Sequence, residues 1–300
     1  MYDVVIVGGG PAGLSAALVL GRCRRRVLLC DAGSPRNGRA RELHGYLTRD
    51  GMPPLELLGA GRRELTPYGI ELRDVRVTGV DTNPDGFTVA MADGRAANAR
   101  TVLIAGGVSD ELPDIPGLDE CYGITAHHCP YCDGWEEREK TVAVIGNGAS
   151  GSALALALKT WSDKILFCTN GRARLQAVHR TQLASHDIEV HARRITQVEH
   201  DRGHVRFLAL DGGDRIACDA IFMSTQQRPQ CEMPKVLGCA LTRQGLVKTD
   251  HLGQTRVPGL YVAGDASRDV QFVIVAAAEG AKAAVAINKA LQARAGLAVT

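Results

Sequence analysis

Tyr2-Asp3-Val4-Val5-Ile6-Val7-Gly8-Gly9-Gly10-Pro11-Ala12-Gly13 opens the chain. Tyr2–Val7 is a nearly unbroken apolar run, the pattern of a strand buried on both faces of a parallel sheet. Gly8, Gly10 and Gly13 follow in Gly-X-Gly-X-X-Gly spacing, then an Ala/Leu-rich helix from about Gly13 to Gly21, then a second strand over Val27–Cys30 that ends at Asp31. This order defines a βαβ unit with a dinucleotide site. Gly8 permits the tight turn, Gly10 lets a pyrophosphate approach the backbone, and Gly13 brings helix against strand. Pro11 and Ala12 open the helix, whose unpaired N–H groups and positive end favour phosphate. Asp31 stands where a ribose would be held. A glycine turn without a ligand is the bland alternative, and a lone motif would leave it standing. Here the strand before, the helix after and the acid beyond are all present.

The loop occurs twice. Gly146-Asn147-Gly148-Ala149-Ser150-Gly151 repeats it, with a strand over Thr141–Ile145, a helix over Ala149–Thr160 and a strand over Lys164–Cys168. Between the two loops, Val75–Val80, Phe87–Met91 and Thr101–Ala105 read as strands separated by turn chemistry at Asn83-Pro84-Asp85-Gly86 and Ala92-Asp93-Gly94. Irregular sequence is expected from Asp31 to about residue 55. Pro113 and Pro116-Gly117 mark the first domain boundary. Short strands are expected between Glu189 and Leu210 and over Ile221–Ser224. The pattern changes again near residue 243, before a strand over Gly259–Ala263 and a last helix from about Val273 to Leu291. The fold class is α/β, with two Rossmann-like domains of the three-layer ββα kind, the second inserted in the first.

A chain of 300 residues is long enough for two domains, and 45% apolar content supplies their cores. A net charge of +2 gives no footprint for a nucleic-acid partner. The run Arg22, Arg24, Arg25, Arg26 reads as a solvated helix end, with a docking patch for an acidic protein as the alternative. No leader precedes the first strand, and the apolar stretches are too short to cross a bilayer, so a soluble, cytoplasmic protein without a membrane partner is expected. Nine cysteines, an odd number, do not make a secreted disulfide framework. Cys23, Cys30, Cys121, Cys168, Cys218, Cys231 and Cys239 lie mostly in apolar runs and read as buried, inert thiols.

Cys129-Pro130-Tyr131-Cys132 is different. Its spacing closes a loop small enough to form and break a disulfide. As half of a zinc site it would need two further ligands, and although His127 and His128 are adjacent, no second Cys-X-X-Cys exists. No metal is therefore expected. Pro130 and the polar residues after Cys132 suggest an exposed turn entering a helix, a setting that lowers thiol pKa. His128 reads either as a half-exposed loop residue or as a base for an incoming thiol.

These residues resemble those of the low-molecular-weight thioredoxin reductases over nearly the whole chain. Val7 to Gly13 is similar to that family's FAD loop, Leu103-Ile104-Ala105-Gly106-Gly107 to its second flavin motif, and Leu260-Tyr261-Val262-Ala263-Gly264-Asp265 to its third. The resemblance implies FAD held by residues 1–112 and 244–300, with Asp265 on the ribityl chain. A smaller NAD(P)H-binding-like domain over 113–243 would carry the dithiol. It further places Val77 among the FAD contacts, and His44, Phe272 and Val273 near the isoalloxazine. Cys129-Pro130-Tyr131-Cys132-Asp133-Gly134 resembles the family's Cys-X-X-Cys-Asp-Gly. Cys132 would then face the flavin as a thiolate, Cys129 would exchange with substrate, and Asp133 would serve as acid or base. A homodimer, and hinges near Pro116-Gly117 and Arg243–Gly245, are implied in the same way.

The second glycine loop departs from the pattern. The spacing from Gly8 to Asp31, laid on Gly146, lands on Thr169. An NADH ribose would lack its carboxylate there. The family's arginine run for NADPH is replaced by Thr169-Asn170-Gly171, with Arg172 and Arg174 later. Either Gly146, Gly148, Gly151, Arg172 and Arg174 bind NADPH in an altered way, or the domain only positions the dithiol. The sequence resembles most the branch that closes disulfides in small natural products, the gliotoxin and holomycin oxidases. A small-molecule dithiol is the partner on that reading. A thioredoxin-like protein, reduced with electrons from NADPH, ferredoxin or another flavin, is the partner on the alternative. A non-catalytic flavoprotein is a third possibility, against which the intact dithiol argues.

Overall fold

The computed structural model describes residues 1–267 and 270–297. The chain begins with β1 (Tyr2–Val7), α1 (Pro11–Arg22), β2 (Val27–Asp31), α2 (Pro54–Leu65), β3 (Glu71–Asp74), β4 (Val77–Asn83), β5 (Gly86–Met91) and β6 (Ala96–Ile104). It continues through β7 (Val108–Glu111), α3 (Leu118–Cys121), β8 (Ala126–His127), α4 (Pro130–Asp133), β9 (Val142–Ile145), α5 (Gly148–Leu158), β10 (Ile165–Cys168), α6 (Ala177–Ala184) and β11 (Glu189–His191). The remainder is β12 (Ile195–Asp201), β13 (His204–Leu210), β14 (Arg215–Ala217), β15 (Ala220–Met223), β16 (Gln226–Pro229), α7 (Met233–Val236), β17 (Leu260–Val262) and α8 (Val273–Arg294).

Two compact units result. The first comprises Met1–Gly38, Tyr46–Ser109 and Gln227–Thr300; the second comprises Asp110–Gln226 together with Arg39–Gly45. The chain returns to the first unit at Gln227, earlier than the expected 244, because Cys231, Cys239 and Val247 pack into a core cluster with Val77, Val89 and Val102. Gly117 lies inside the second unit rather than at its edge. Its φ is +83°, and a Cβ there would overlap the Val198 carbonyl, so it is a locked turn.

In the first unit β1 pairs in parallel with β2 and β6, and β2 with β3. The second half of β6 also pairs in parallel with β17, while its first half starts the antiparallel run β6-β5-β4. One long strand thereby joins the parallel sheet to a β-meander, which is the ββα layering expected. On one face, α1 and α8 pack against β1 and β2 through Ala16, Ala17, Leu20, Ala283, Ala284 and Ile287. Small residues let the helices close in, and a Cβ on Gly280 of α8 would overlap the Ala12 carbonyl of α1. Arg25 of the arginine run is not purely solvated: its Nε donates to Asn288 Oδ1 at 2.8 Å. Cys23, at the end of α1, is exposed, contrary to expectation, because the helix stops there and the chain turns outward. The other six unpaired cysteines are buried, and burial pushes the Cys30 and Cys121 thiols up to about 11. The helix α2 begins where the expected irregular stretch ends, in a part of the sequence to which no element was assigned. Its Leu57–Leu58 and Leu65 spacing is interrupted by Gly59 and Gly61, which hides the helical period.

The second unit has a parallel five-stranded sheet, β11-β10-β9-β15-β8, and a separate antiparallel sheet, β12-β13-β14. Val142, Val144, Phe167 and Phe222 fill one side of the parallel sheet, and Ala143, Ile145, Cys168 and Ile221 fill the other. This alternation makes the short strands apolar throughout. No described helix is long and apolar enough to cross a membrane.

Gly280→Ala separates two effects of opposite sign. Helix propensity alone favours alanine by about 1 kcal/mol. The overlap with the Ala12 backbone predicts instead a loss of about 1–3 kcal/mol, since overpacking costs that much. Urea unfolding of the FAD-loaded protein reads the sign, and a gain in stability would refute the close-packing account.

Candidate functional site

At the C-terminal ends of β1, β6 and β17 three glycine turns meet, as expected for ligand loops of an open α/β sheet. Gly8, at φ +109°, lies so near Ala105 and Gly106 that a Cβ would overlap the Ala105 carbonyl. Gly13 is equally constrained by the Gly8 carbonyl. Gly264 lies against Ala12, and Gly107 takes φ +67° at the end of the second motif. A Cβ on Gly10 would meet nothing within 4 Å, which leaves open space over the start of α1. That start has Gly10 as its cap, Pro11 at its first position and no capping side chain, so its N–H groups suit a phosphate.

Asp31 ends β2 beside this cradle, 3.6 Å from Arg62. Gly9 emerges as a further determinant, because a Cβ there would come within 2.6 Å of the Asp31 carboxylate. Asp265 accepts a 2.9 Å hydrogen bond from Arg36 Nη1, which also donates to Gln271 Oε1 at 2.6 Å. Phe272 caps α8 and Val273 begins it. Val77 is buried in the core cluster with Phe87 and Met91, so its side chain serves packing and only its backbone is left for a nucleotide. His44 groups with the second unit, its Nε2 lying 3.6 Å from Glu136 and 3.8 Å from Glu42.

In the second unit Cys129 and Cys132 form a disulfide. The expected helix after Cys129 is a single turn, α4, capped by Cys129 itself. The Cys129 carbonyl accepts from Cys132 N at 3.1 Å and from Asp133 N at 3.2 Å. Such a short helix has little dipole of its own, so its orientation must come from side chains. Tyr131 packs edge-on against Trp161, while Tyr131 and Trp135 are 74% and 64% exposed around the disulfide.

His128 Nδ1 shares a 2.8 Å hydrogen bond with the Tyr122 hydroxyl. Its neighbour His127, the last residue of β8, meets a different set of groups. His127 is buried against Phe222, with Nδ1 3.3 Å from Asp133 Oδ1 and Nε2 at 3.5 Å, an ion-pair distance, from Glu137 Oε1. Glu137 is itself buried and takes Lys140 Nζ at 2.8 Å on its other oxygen. Burial opposes charge on His127, but the hydrogen bonds and charges of Asp133 and Glu137 outweigh it and raise its pKa from 6.5 to about 9. From the sequence His127 was weighed only as a zinc ligand, and Glu137 was not singled out. The strand that ends at His127 has only two residues, too few for a period to be recognised.

The second glycine loop faces a cleft of ≈ 450 Å³ lined by Gly146, Asn147, Thr169, Asn170, Arg172 and Arg174 among others. Gly146 and Gly151 pack as the motif requires, and Gly148 takes φ +62°. Asn147, also missed in the sequence, occupies all its hydrogen-bonding capacity within the protein. Its Oδ1 accepts from Gly148 N at 2.9 Å and Arg174 N at 2.7 Å. Its Nδ2 donates to the carbonyls of Thr169 and Arg172, both at 3.1 Å. Thr169 is buried and its hydroxyl donates to the Gly171 carbonyl at 2.6 Å.

A dinucleotide cradle in one unit and a Cys-X-X-Cys disulfide in the other define a flavin-dependent thiol–disulfide oxidoreductase. The chain belongs to the pyridine nucleotide-disulphide oxidoreductase family, whose model matches residues 2–280. It is similar to thioredoxin reductase aclD of Aspergillus oryzae, 28% identical over 96% of this chain and 95% of that protein. The crystal structure of HlmI superposes with a TM-score of 0.95 at 35% identity, covering 98% of this chain and 94% of HlmI. An oxidoreductase from Agrobacterium tumefaciens matches with a TM-score of 0.90 at 35% identity, over 97% of this chain and 98% of its own. FAD is the cofactor that this membership brings, and the open space above Gly10 at an uncapped helix start fits its pyrophosphate.

The raised pKa of His127 has a stability consequence. Its contribution is fully present below about 6.5 and is lost as pH rises through about 9. Both tryptophans, Trp135 and Trp161, lie in the second unit and report on its unfolding. Urea midpoints followed by their emission should fall between pH 7 and pH 9.5, and the fall should flatten in His127→Asn. An equal slope in the variant would place the titration elsewhere.

Proposed function

We propose that this protein oxidises a small-molecule dithiol to a disulfide, using the Cys129–Cys132 pair, FAD and dioxygen. The observation that carries this reading is Asn147. Its side chain fastens the Thr169–Arg174 segment onto the second glycine loop through three hydrogen bonds and caps α5 with a fourth, and so spends on the protein the groups that would otherwise meet a nicotinamide nucleotide. Thr169 stands where a ribose-binding carboxylate is expected and uses its hydroxyl internally. The resemblance to the gliotoxin and holomycin oxidases supports the same direction, as does the likeness to HlmI.

On this reading a substrate thiolate attacks Cys129 Sγ, which breaks the Cys129–Cys132 bond and releases Cys132 as a thiolate. The second substrate thiol attacks the substrate sulfur joined to Cys129, closing the product disulfide and releasing Cys129. FAD, held by the Gly8–Gly13 loop, would supply the two-electron acceptor for the cysteine pair and the means of reducing dioxygen to hydrogen peroxide. His128 is the base for the incoming thiol. A proton held on Nδ1 toward the Tyr122 oxygen makes Nε2 its basic nitrogen. Asp133 and the residues around the first cradle keep the roles their motifs imply.

Reduction of a thioredoxin-like protein by NADPH is the second reading. Arg172 and Arg174 line the cleft at the second loop and offer charge to a 2′-phosphate, and aclD is named a thioredoxin reductase. The two readings separate in one anaerobic experiment on the oxidised, FAD-loaded protein. NADPH should leave the flavin band unchanged, whereas a small dithiol should bleach it and air restore it. Rapid bleaching by NADPH would overturn the oxidase reading.

The cysteine roles are tested by substitution. Cys129→Ser should leave Cys132 to give a long-wavelength absorption band with the flavin, and Cys132→Ser should lack the band while retaining FAD. The reverse pattern would exchange the two roles. In either variant dithiol turnover should fall by at least about 10³-fold, the scale seen when a covalent nucleophile is removed.

A further inference from the structure

We propose that His127 is a positioning residue that sets the thiol chemistry of the Cys129–Cys132 pair. It does so by anchoring α4 to β8 and by neutralising the two acids, Asp133 and Glu137, that close on it from the same side of the chain. The inference rests on the proposed role of that pair as the redox centre.

The geometry has three parts. First, α4 is one turn long and Asp133 is its last residue, directly after Cys132. A helix this short is not stable by itself. His127 Nδ1, 3.3 Å from Asp133, ties its end to β8, which pairs with β15 at the edge of the parallel sheet. Second, Glu137 N donates to the Asp133 carbonyl at 3.3 Å, so the next turn brings a second carboxylate to the other ring nitrogen. Third, Lys140 holds the far oxygen of Glu137. Across the ring β15 contributes the uncharged side chain of Phe222. The set is two cations and two anions in series, Lys140, Glu137, His127 and Asp133, and its balance depends on the histidine.

Losing the imidazole would leave two acids with one lysine beside Cys132. A like charge disfavours a thiolate, so the thiol pKa should rise. Losing the Glu137 charge while keeping His127 leaves one extra positive charge, and the thiolate should be favoured. Opposite signs from two neighbouring substitutions distinguish a charge effect from loosened packing, which would disturb both in the same way.

The test uses the FAD-loaded protein, reduced anaerobically with a phosphine. The iodoacetamide alkylation rate of the peptide containing Cys129 and Cys132 is followed against pH by mass spectrometry. Reading that peptide alone excludes the exposed Cys23. At pH 7, His127→Asn should slow alkylation by at least about fivefold, because each unit of thiol pKa removes about tenfold of the thiolate. Glu137→Gln should speed it, and the double variant should return toward the wild-type rate. Rates within twofold of wild type in both single variants, or shifts of the same sign, would overturn the proposal. If His127→Asn does not fold, Glu137→Gln decides alone: an unchanged or slower rate refutes it. Failure of the oxidase reading is a separate result, since it would show as an absence of flavin bleaching by dithiols in the unmodified protein, whatever the alkylation profiles.

Discussion

Backbone touching backbone at the ends of β1, β6 and β17 is the constraint on which the first unit depends. The Gly8 turn lies on the Ala105 carbonyl, Gly13 lies on the Gly8 carbonyl, and Gly280 brings α8 down onto the Ala12 carbonyl of α1. Each approach is closer than any side chain permits. Together they stack three loops from distant parts of the chain over one helix start, and they leave space above Gly10. The nucleotide cradle and the helix packing are therefore one structure rather than two. A residue added to improve either would displace the other.

Most of this was legible in the sequence because it is written in glycine. The positions of Gly8, Gly10, Gly13, Gly146 and Gly151, and the apolar runs before them, have only one economical reading. What escaped was polar and short. The strand β8 contributes only Ala126 and His127, so no period can be seen, yet the chain leaving it puts His127 against Asp133 and Glu137 and His128 against Tyr122. Asn147 escaped for another reason. It occupies an unspecified position of the glycine motif, and its four partners include backbone groups of a loop more than twenty residues on, which no local pattern reports. Cys23 was misjudged by grouping it with the cysteines of apolar runs, although Arg22 and Arg24 flank it in the stretch read as a solvated helix end.

The two glycine loops show how one local geometry can serve different ends. In the first the helix start is left without a capping side chain, and in the second Asn147 caps it and fastens the adjoining segment. Net hydrogen bonds of this kind are worth about 1 kcal/mol each in a folded protein. Four of them give the second loop a stable internal arrangement against which any nucleotide must compete. The preserved glycines are then explained by packing of α5 on β9 and β10, which persists whether or not a ligand is bound.

The division of the chain into Asp110–Gln226 and two flanking portions bears on how the molecule is made. Synthesis is vectorial, and domains tend to fold as units while they emerge. Apart from the Arg39–Gly45 segment, which is already present, the second unit is continuous and can close as soon as Gln226 has left the ribosome. The first unit cannot close then, because the apolar face of α1 awaits α8, which lies beyond Gln226. The inserted unit is therefore complete while its host still exposes Ala16, Ala17 and Leu20. The nascent chain in that interval presents a surface for which chaperones compete, and pausing before Val273 would prolong the exposure.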